Sequence, residues 1–441
     1  MAGDGEDGEV AMSTGGAAVR ISGLIERLLG QPLPLAIRTW DGSRAGPDGG
    51  PTVVVNSRRA LRRLLWQPDE IGLGRAWVAG ELDVEGDLDT ALTRLDHMLR
   101  ELTVRPRLTA AERAEVVGLA VVLGAVGPPL KPPPEEIVLA GDRHSRGRDR
   151  AAISHHYDVG NDFYAVVLGP SMVYSCAYWA DGAATLEDAQ RAKNELICQK
   201  LGLRPGQRLL DVGCGWGSLV LHAAREHGVR AVGITLSAPQ AEYAKQRVAD
   251  AGLTDVVEVR LQDWRDVTDG PYDAIASVGM AEHLGAGAWP TYAERLYELL
   301  RPGGRLLNHQ IVRSGRPRSG GMARPRRTFI DAYVFPDGEL IPAGEVVTRL
   351  EVAGFEVRDV HALREHYART LRAWVAGLEA GWHRAVEVAG EGRARVWRLY
   401  MAASAVSFDA GRIGVDQMLA VRPYPDGRSD MPMTRPVGWS L

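Results

Sequence analysis

The stretch "LLDVGCGWGSLVL", residues 209–221, constrains the fold more tightly than any other part of the chain. Apolar residues lead into glycines at 213, 215 and 217, and a second apolar run with helical spacing follows. Glycines so placed let the backbone turn sharply and approach a ligand closely at the carboxyl edge of a parallel sheet, where open α/β folds bind. Four further apolar runs, "VRAVGITLS", "VVEVRLQD", "YDAIASVG" and "GRLLNHQIV", alternate with helix-patterned segments. That alternation predicts a doubly wound parallel sheet. The turn-forming "RPGGR" fits a helix end followed by a buried strand. The segment "LREHYARTLRAWVAGLEAGW" spaces its apolar and aromatic residues as an amphipathic helix does. A glycine-rich turn alone leaves the ligand open, because dinucleotide-binding loops share it.

At 441 residues the chain exceeds one ordinary core, so more than one domain is expected. Residues 1–20, rich in Gly, Ala and acids, read as a disordered leader without the basic start and apolar run of a signal peptide. Residues 21–100 mix strand and helix patterns with turns such as "DGSRAGPDGG" and read as a small α+β accessory domain. Residues 101–150 read as a helical, proline-rich linker ending in the basic "GDRHSRGRDR". The sheet domain is expected over 151–422, with a tail at 423–441.

The 52 basic and 56 acidic side chains leave a formal charge of -4, which argues against a general nucleic-acid binder. Three cysteines, Cys176, Cys198 and Cys214, cannot build a disulfide framework, and their spacing is not that of a zinc site, so no metal is expected. A reducing cytoplasm is the natural compartment. The most apolar run, "VVGLAVVLGAVGPPL" at 116–130, falls short of the roughly 18 residues expected of a spanning helix. A soluble protein able to touch a membrane is therefore expected.

The glycine loop has the form DxGxGxG and resembles that of the class I methyltransferases, which use S-adenosylmethionine (SAM). On that reading Asp211, Gly213 and Gly215 shape the cofactor loop. Thr235 and Gln240 in "GITLSAPQ" can hydrogen-bond the ligand, although the acidic residue that commonly holds ribose hydroxyls after the second strand is missing. In "LQDWRDV", Asp263 can accept from the adenine amino group and Trp264 can serve as an apolar plate.

The flanking words narrow the resemblance. "ISHHYDVGNDFY", "YSCAYW", "AQRAKNELICQKLGLRPGQRLLDVGCGWG", "GMAEHLG", "LLNHQI", "YVFPDGEL" and "HYARTLRAW" follow one another as in the cyclopropane-fatty-acyl-phospholipid synthase family, which includes the mycolic acid cyclopropane synthases. The resemblance spans roughly 150–422. It implies a Rossmann-like, seven-stranded, mostly parallel sheet and an enzyme that adds the SAM methyl carbon to a cis double bond of a phospholipid acyl chain. The alkene attacks the methyl, a carbocation forms, and a base removes a proton so that the ring closes. The resemblance also implies that the base is bicarbonate, held by Cys176, Glu282, His309, Tyr367 and the backbone of Ile311. Tyr157, Tyr174, Ser175 and Leu236 join the SAM contacts in the same way. A thiolate beside a carbocation would be alkylated, so Cys176 is cast as a neutral hydrogen-bonding group.

The segment "RSGRPRSGGMARPRR", 313–327, holds six arginines and no acid and is expected to meet phosphate headgroups in peripheral contact with the inner face of the membrane. Loss of a proton from the added methyl gives a cyclopropane. A hydride shift first gives a methylene branch, the precursor of 10-methyl acids such as tuberculostearic acid. Ala281 in "AEHLG", where the family usually has Phe, and "LLNHQI" lean towards an actinobacterial branch that takes the second exit. A homodimer, and a reductase for a methylene product, are the protein partners in view. The rivals are a small-molecule O- or N-methyltransferase and a lipid-binding protein without activity.

Overall fold

The computed structural model describes residues 15–102, 108–137, 148, 159–315 and 327–434. The chain divides into two compact units, Met1–Pro133 and Pro134–Leu441. The boundary falls among the prolines of "KPPPEE", inside the stretch read as a linker.

In the first unit, strands β1 (Ala36–Thr39), β2 (Arg44–Ala45), β3 (Thr52–Val55) and β4 (Leu82–Glu85) form a sheet in the order β2-β1-β3-β4, with β1 and β3 parallel. Ala18, Ile21, Ile37, Val55, Ala60 and Ala76 make its core. Two expected boundaries shift. The helix Ala17–Leu29 starts inside the expected leader, because the Asp41 carboxylate accepts the Ala17 N–H at 2.9 Å and the Ser43 hydroxyl accepts that of Ala18 at 2.9 Å. The helix Ala110–Val122, closed by a Thr109–Glu112 capping box, belongs to this unit rather than to a linker, and Leu123 packs against the core.

In the second unit, β5 (Arg208–Val212), β6 (Arg230–Thr235), β7 (Val257–Leu261), β8 (Tyr272–Val278), β9 (Leu300–Arg313), β10 (Glu356–Ala362) and β11 (Ile413–Val421) form one sheet in the order β10-β11-β9-β8-β5-β6-β7. Neighbours from β7 through β9 run parallel, and β11 runs antiparallel to β9 and β10. Adjacent residues point to opposite faces of a strand. Leu209 and Leu307 therefore join one apolar layer with the helices Leu186–Leu201, Ser218–His227 and Ala238–Asp250, and Leu210 and Leu306 join another with Trp289–Leu299 and Ala343–Val352. The five strands read from sequence are all present, whereas β10 and β11 lie outside the quoted runs. The helices Arg364–Ala380, Trp382–Ala389 and Glu391–Asp409 pack together with Asn161–Leu168. The expected tail meets the sheet at Tyr424, whose ring lies where a Cβ on Gly303 would stand.

Candidate active site

After Val212 the chain turns through Gly213, Gly215 and Gly217 at φ of +87°, +54° and +81°, and the helix Ser218–His227 begins. In this left-handed region a residue with a side chain is strained by roughly 1–2 kcal/mol. The N–H groups of Gly213 and Cys214 both donate to the Ile234 carbonyl at 2.9 Å, pinning the turn to the end of β6. A Cβ on Gly213 would stand 3.2 Å from Met280. A cleft therefore opens at the carboxyl ends of β5, β6 and β8, where connections leave for opposite faces of the sheet.

Tyr174 and Ser175 form part of its wall, followed by Asp211, Gly213 and Gly215. Thr235, Leu236 and Gln240 continue it after β6, and Trp264 after β7. The Thr235 hydroxyl donates to Gln240 Oε1 at 2.9 Å and so orients that amide. Of the other expected cofactor contacts, Tyr157 lies outside the described residues, and Asp263 is not on the wall. The Asp263 carboxylate caps the short turn Trp264–Asp266, accepting the Arg265 N–H at 2.9 Å and pairing with the Arg265 guanidinium at 2.9 Å. Gln262 stands on the wall in its stead.

Sequence reasoning missed Lys193, which reaches the cleft from the helix Leu186–Leu201 and is 3 % exposed. Burial pushes the Asp211 carboxyl up and the Lys193 ammonium down, and the attraction between the two charges opposes both shifts. Asp211 Oδ1 is buried with no hydrogen-bond partner among the described residues. Lys193 left no signal, because in "AQRAKNELICQK" it has the look of a solvated helix position.

Of the residues expected around a base, His309 and Ile311 lie near the end of β9, and Glu282 reaches the same strand. His309 and Ile311 alternate with Gln310 and so share one face of the strand. Glu282 Oε1 accepts the Ile311 N–H at 2.7 Å, while Oε2 is shut from solvent without a partner among the described residues. Burial pushes the Glu282 carboxyl up to about 7, against the pull of the Ile311 N–H. Gln417 Nε2 lies 3.3 Å from His309 Nδ1, and His309 Nε2 is likewise buried and unpartnered among the described residues. Burial, followed by the positive charges of Lys193 and Lys200, lowers His309 to about 3 and keeps the imidazole neutral.

Cys176 is fully buried, and its thiol donates to the carbonyls of Ala177 at 3.3 Å and Leu363 at 3.7 Å. The Leu363 carbonyl also accepts the Tyr367 N–H at 3.1 Å, tying the two candidate residues to one acceptor. Burial pushes the thiol far above its ordinary range, so it stays protonated. The Tyr367 ring packs on Phe408 and edge-on to Trp374.

A nest of rings adjoins the cleft. Tyr174 donates to the Tyr400 hydroxyl at 3.1 Å, and its ring lies 5.2 Å from Trp374, 5.5 Å from Trp397 and 5.6 Å from Tyr164. Tyr164 in turn packs against Trp216 on the wall at 4.7 Å. Of these, Tyr400 and Trp397 come from a helix for which the sequence offered no functional reading.

Of the six arginines, 316, 318, 324 and 326 lie outside the described residues. Arg327 is taken up by the Glu136 carboxylate at 2.8 Å and by the Ile137 carbonyl, and so does not stand free for a headgroup. Among the described residues no helix is long and apolar enough to cross a membrane.

The sheet order and the glycine turn at its switch point define a class I SAM-dependent methyltransferase. The family model described as mycolic acid cyclopropane synthetase matches residues 144–418, and the chain belongs to that family. It is 43% identical over 411 residues to a probable fatty acid methyltransferase of Mycobacterium tuberculosis, with 91% of this chain and 94% of that one covered. It is 33% identical over 425 residues to the tuberculostearic acid methyltransferase UfaA1 of the same organism, with 93% and 92% covered. Among solved structures, the mycolic acid cyclopropane synthase CmaA1 complexed with SAH and CTAB covers 62% of this chain and 97% of its own, at 36% identity and a TM-score of 0.58. The chain is accordingly a SAM-dependent enzyme of the C-methyltransferase and cyclopropane synthase type.

Proposed function

We propose that this enzyme adds the SAM methyl carbon to a cis double bond in an acyl chain of a membrane phospholipid and closes the product to a cyclopropane, with bicarbonate as the base. The observation that carries the proposal is that Glu282 Oε2 and His309 Nε2 are both buried with no partner among the described residues. Burying such atoms without partners costs about 1–3 kcal/mol each, so the site favours a small hydrogen-bonding oxyanion. An O- or N-methyltransferase has no need of such a site.

SAM supplies an electrophilic methyl carbon, and bicarbonate, held by Glu282, His309, Cys176, Tyr367 and the Ile311 backbone, supplies a base. The glycine turn lets backbone rather than side chain face the cofactor, and Thr235, Gln240 and Trp264 orient it. An alkene needs no activated nucleophile, so positioning carries much of the rate. Tyr174, Trp374 and Trp397 turn electron-rich rings towards positive charge developing on the acyl chain. The protonated Cys176 thiol offers that charge no thiolate to alkylate. Glu282, poised near neutrality, can take up a proton and release it.

A second exit, to a methylene branch completed by a reductase, is favoured by one observation. The relatives that match over nearly the whole chain are named fatty acid and tuberculostearic acid methyltransferases. On either exit the enzyme works in the cytoplasm at the inner membrane face, with the arginines of 313–326 meeting headgroups.

The test uses purified enzyme, vesicles of monounsaturated phospholipid and methyl-labelled SAM, in buffer stripped of carbon dioxide. Label transfer is expected to fall and to recover when bicarbonate is restored. Equal rates in both buffers would overturn the assignment of the base.

A further inference from the structure

Away from the cleft, four side chains on two packed helices converge. Glu195 and Cys198 stand three residues apart on Leu186–Leu201 and so share a face. His222 and His227 project from the neighbouring Ser218–His227. Both His Nε2 atoms lie 3.0 Å from Glu195 Oε2. The Cys198 sulfur and one nitrogen of each histidine all lie within 4.8 Å of one another. Cys198 is fully buried, and the His222 and His227 side chains are 13% and 18% exposed.

We propose that Cys198, His222 and His227 form a structural binding site for a transition-metal dication of zinc type, with the Glu195 carboxylate aiming both imidazoles. Two imidazoles and a thiolate, with a water in the fourth position, are a donor set of a tetrahedral, borderline-soft ion. In such a complex the ligand atoms stand roughly 3.3–3.8 Å apart, given metal bonds of about 2.0–2.3 Å. The sulfur and the two nitrogens lie within 4.8 Å of one another, so a modest approach brings them to that span. Glu195 Oε2, 3.0 Å from Nε2 of both histidines, stands as an outer partner that aims a ligand does, and Gln199 Nε2 donates to its other oxygen at 2.9 Å. On binding, metal–sulfur, metal–nitrogen and metal–oxygen bonds form, and the thiol proton leaves to solvent. The site stands away from the cofactor cleft, so its role is a clamp. It joins the helix that carries Lys193 to the helix that leaves the glycine turn, and so braces two walls of the cofactor cleft.

Full-length protein treated with a chelator and titrated with cobalt(II) tests this. One cobalt per chain is expected, with a thiolate-to-cobalt charge-transfer absorption and the strong visible bands of a tetrahedral ion. Cys198→Ser should abolish the charge-transfer absorption. His222→Asn and His227→Asn should each weaken zinc binding beyond the ~10–100-fold typical of an outer-shell loss, and Glu195→Gln should weaken it by about tenfold. SAM affinity and circular dichroism identify any variant that fails to fold. X-ray absorption of the zinc-loaded wild type gives an independent reading, with one sulfur neighbour expected. Absence of the charge-transfer absorption, its dependence on Cys176 or Cys214 instead, or a zinc shell without sulfur would overturn the proposal.

Discussion

Glu282 is held by one oxygen only: Oε1 takes the Ile311 N–H at 2.7 Å, while Oε2 is buried with no partner among the described residues. The backbone bond fixes the carboxylate in place, and in the proposed function its second oxygen meets the bicarbonate.

Replacing Glu282 by Gln keeps the shape and the Ile311 contact but removes the proton acceptor. Turnover is expected to fall by about 10²–10⁴-fold, the range of positioned acid–base groups. SAM affinity by calorimetry should stay within about threefold. Full activity in this variant would remove Glu282 from the base site.

The raised carboxyl makes this group pH-sensitive in two ways. Wild-type kcat/KM is expected to climb as pH rises through about 7, where Glu282 ionises. For stability the sign is opposite. With a folded pKa near 7 above an ordinary 4.5, the group favours the folded state fully below 4.5 and loses that contribution as pH rises through 7. Thermal melts should show Glu282→Gln gaining on the wild type between those pH values and running parallel outside them.

Gly213 sits at φ +87°, and an added Cβ would press on Met280 at 3.2 Å. Gly213→Ala therefore strains the turn by roughly 1–2 kcal/mol and narrows the cleft. SAM binding should weaken by about tenfold or more with the melting transition still cooperative. Unchanged affinity would mean that the turn does not approach the cofactor.

The sheet was legible where sequence is local. β5 runs into a glycine turn within a dozen residues, and alternate apolar positions such as Leu209 and Leu210 already mark both faces of a buried strand. The antiparallel β10 and β11 were not read, because their pairing joins Glu356 to Val421 across the helices between them. Thr235, on the wall of the cleft, sits in a motif word and could be named from the resemblance. Lys193 could not, since only packing brings it to the cleft, nor could Tyr400 and Trp397, which packing sets against Tyr174. Asp263 was assigned to a ligand because a carboxylate before a tryptophan looks available, yet the short turn after it claims that carboxylate as a cap. The convergence of Cys198, His222 and His227 was invisible for a similar reason, since two helices separated by a strand supply them.

The most direct measurement is mass spectrometry of phospholipids from a host expressing the enzyme and fed methyl-labelled methionine. Unsaturated acyl chains are expected to gain one labelled CH2, with fragmentation placing a cyclopropane ring at the former double bond, or a methylene branch if the second exit is taken. Acyl chains without label, with the label appearing instead on oxygen or nitrogen of a small molecule, would contradict the account.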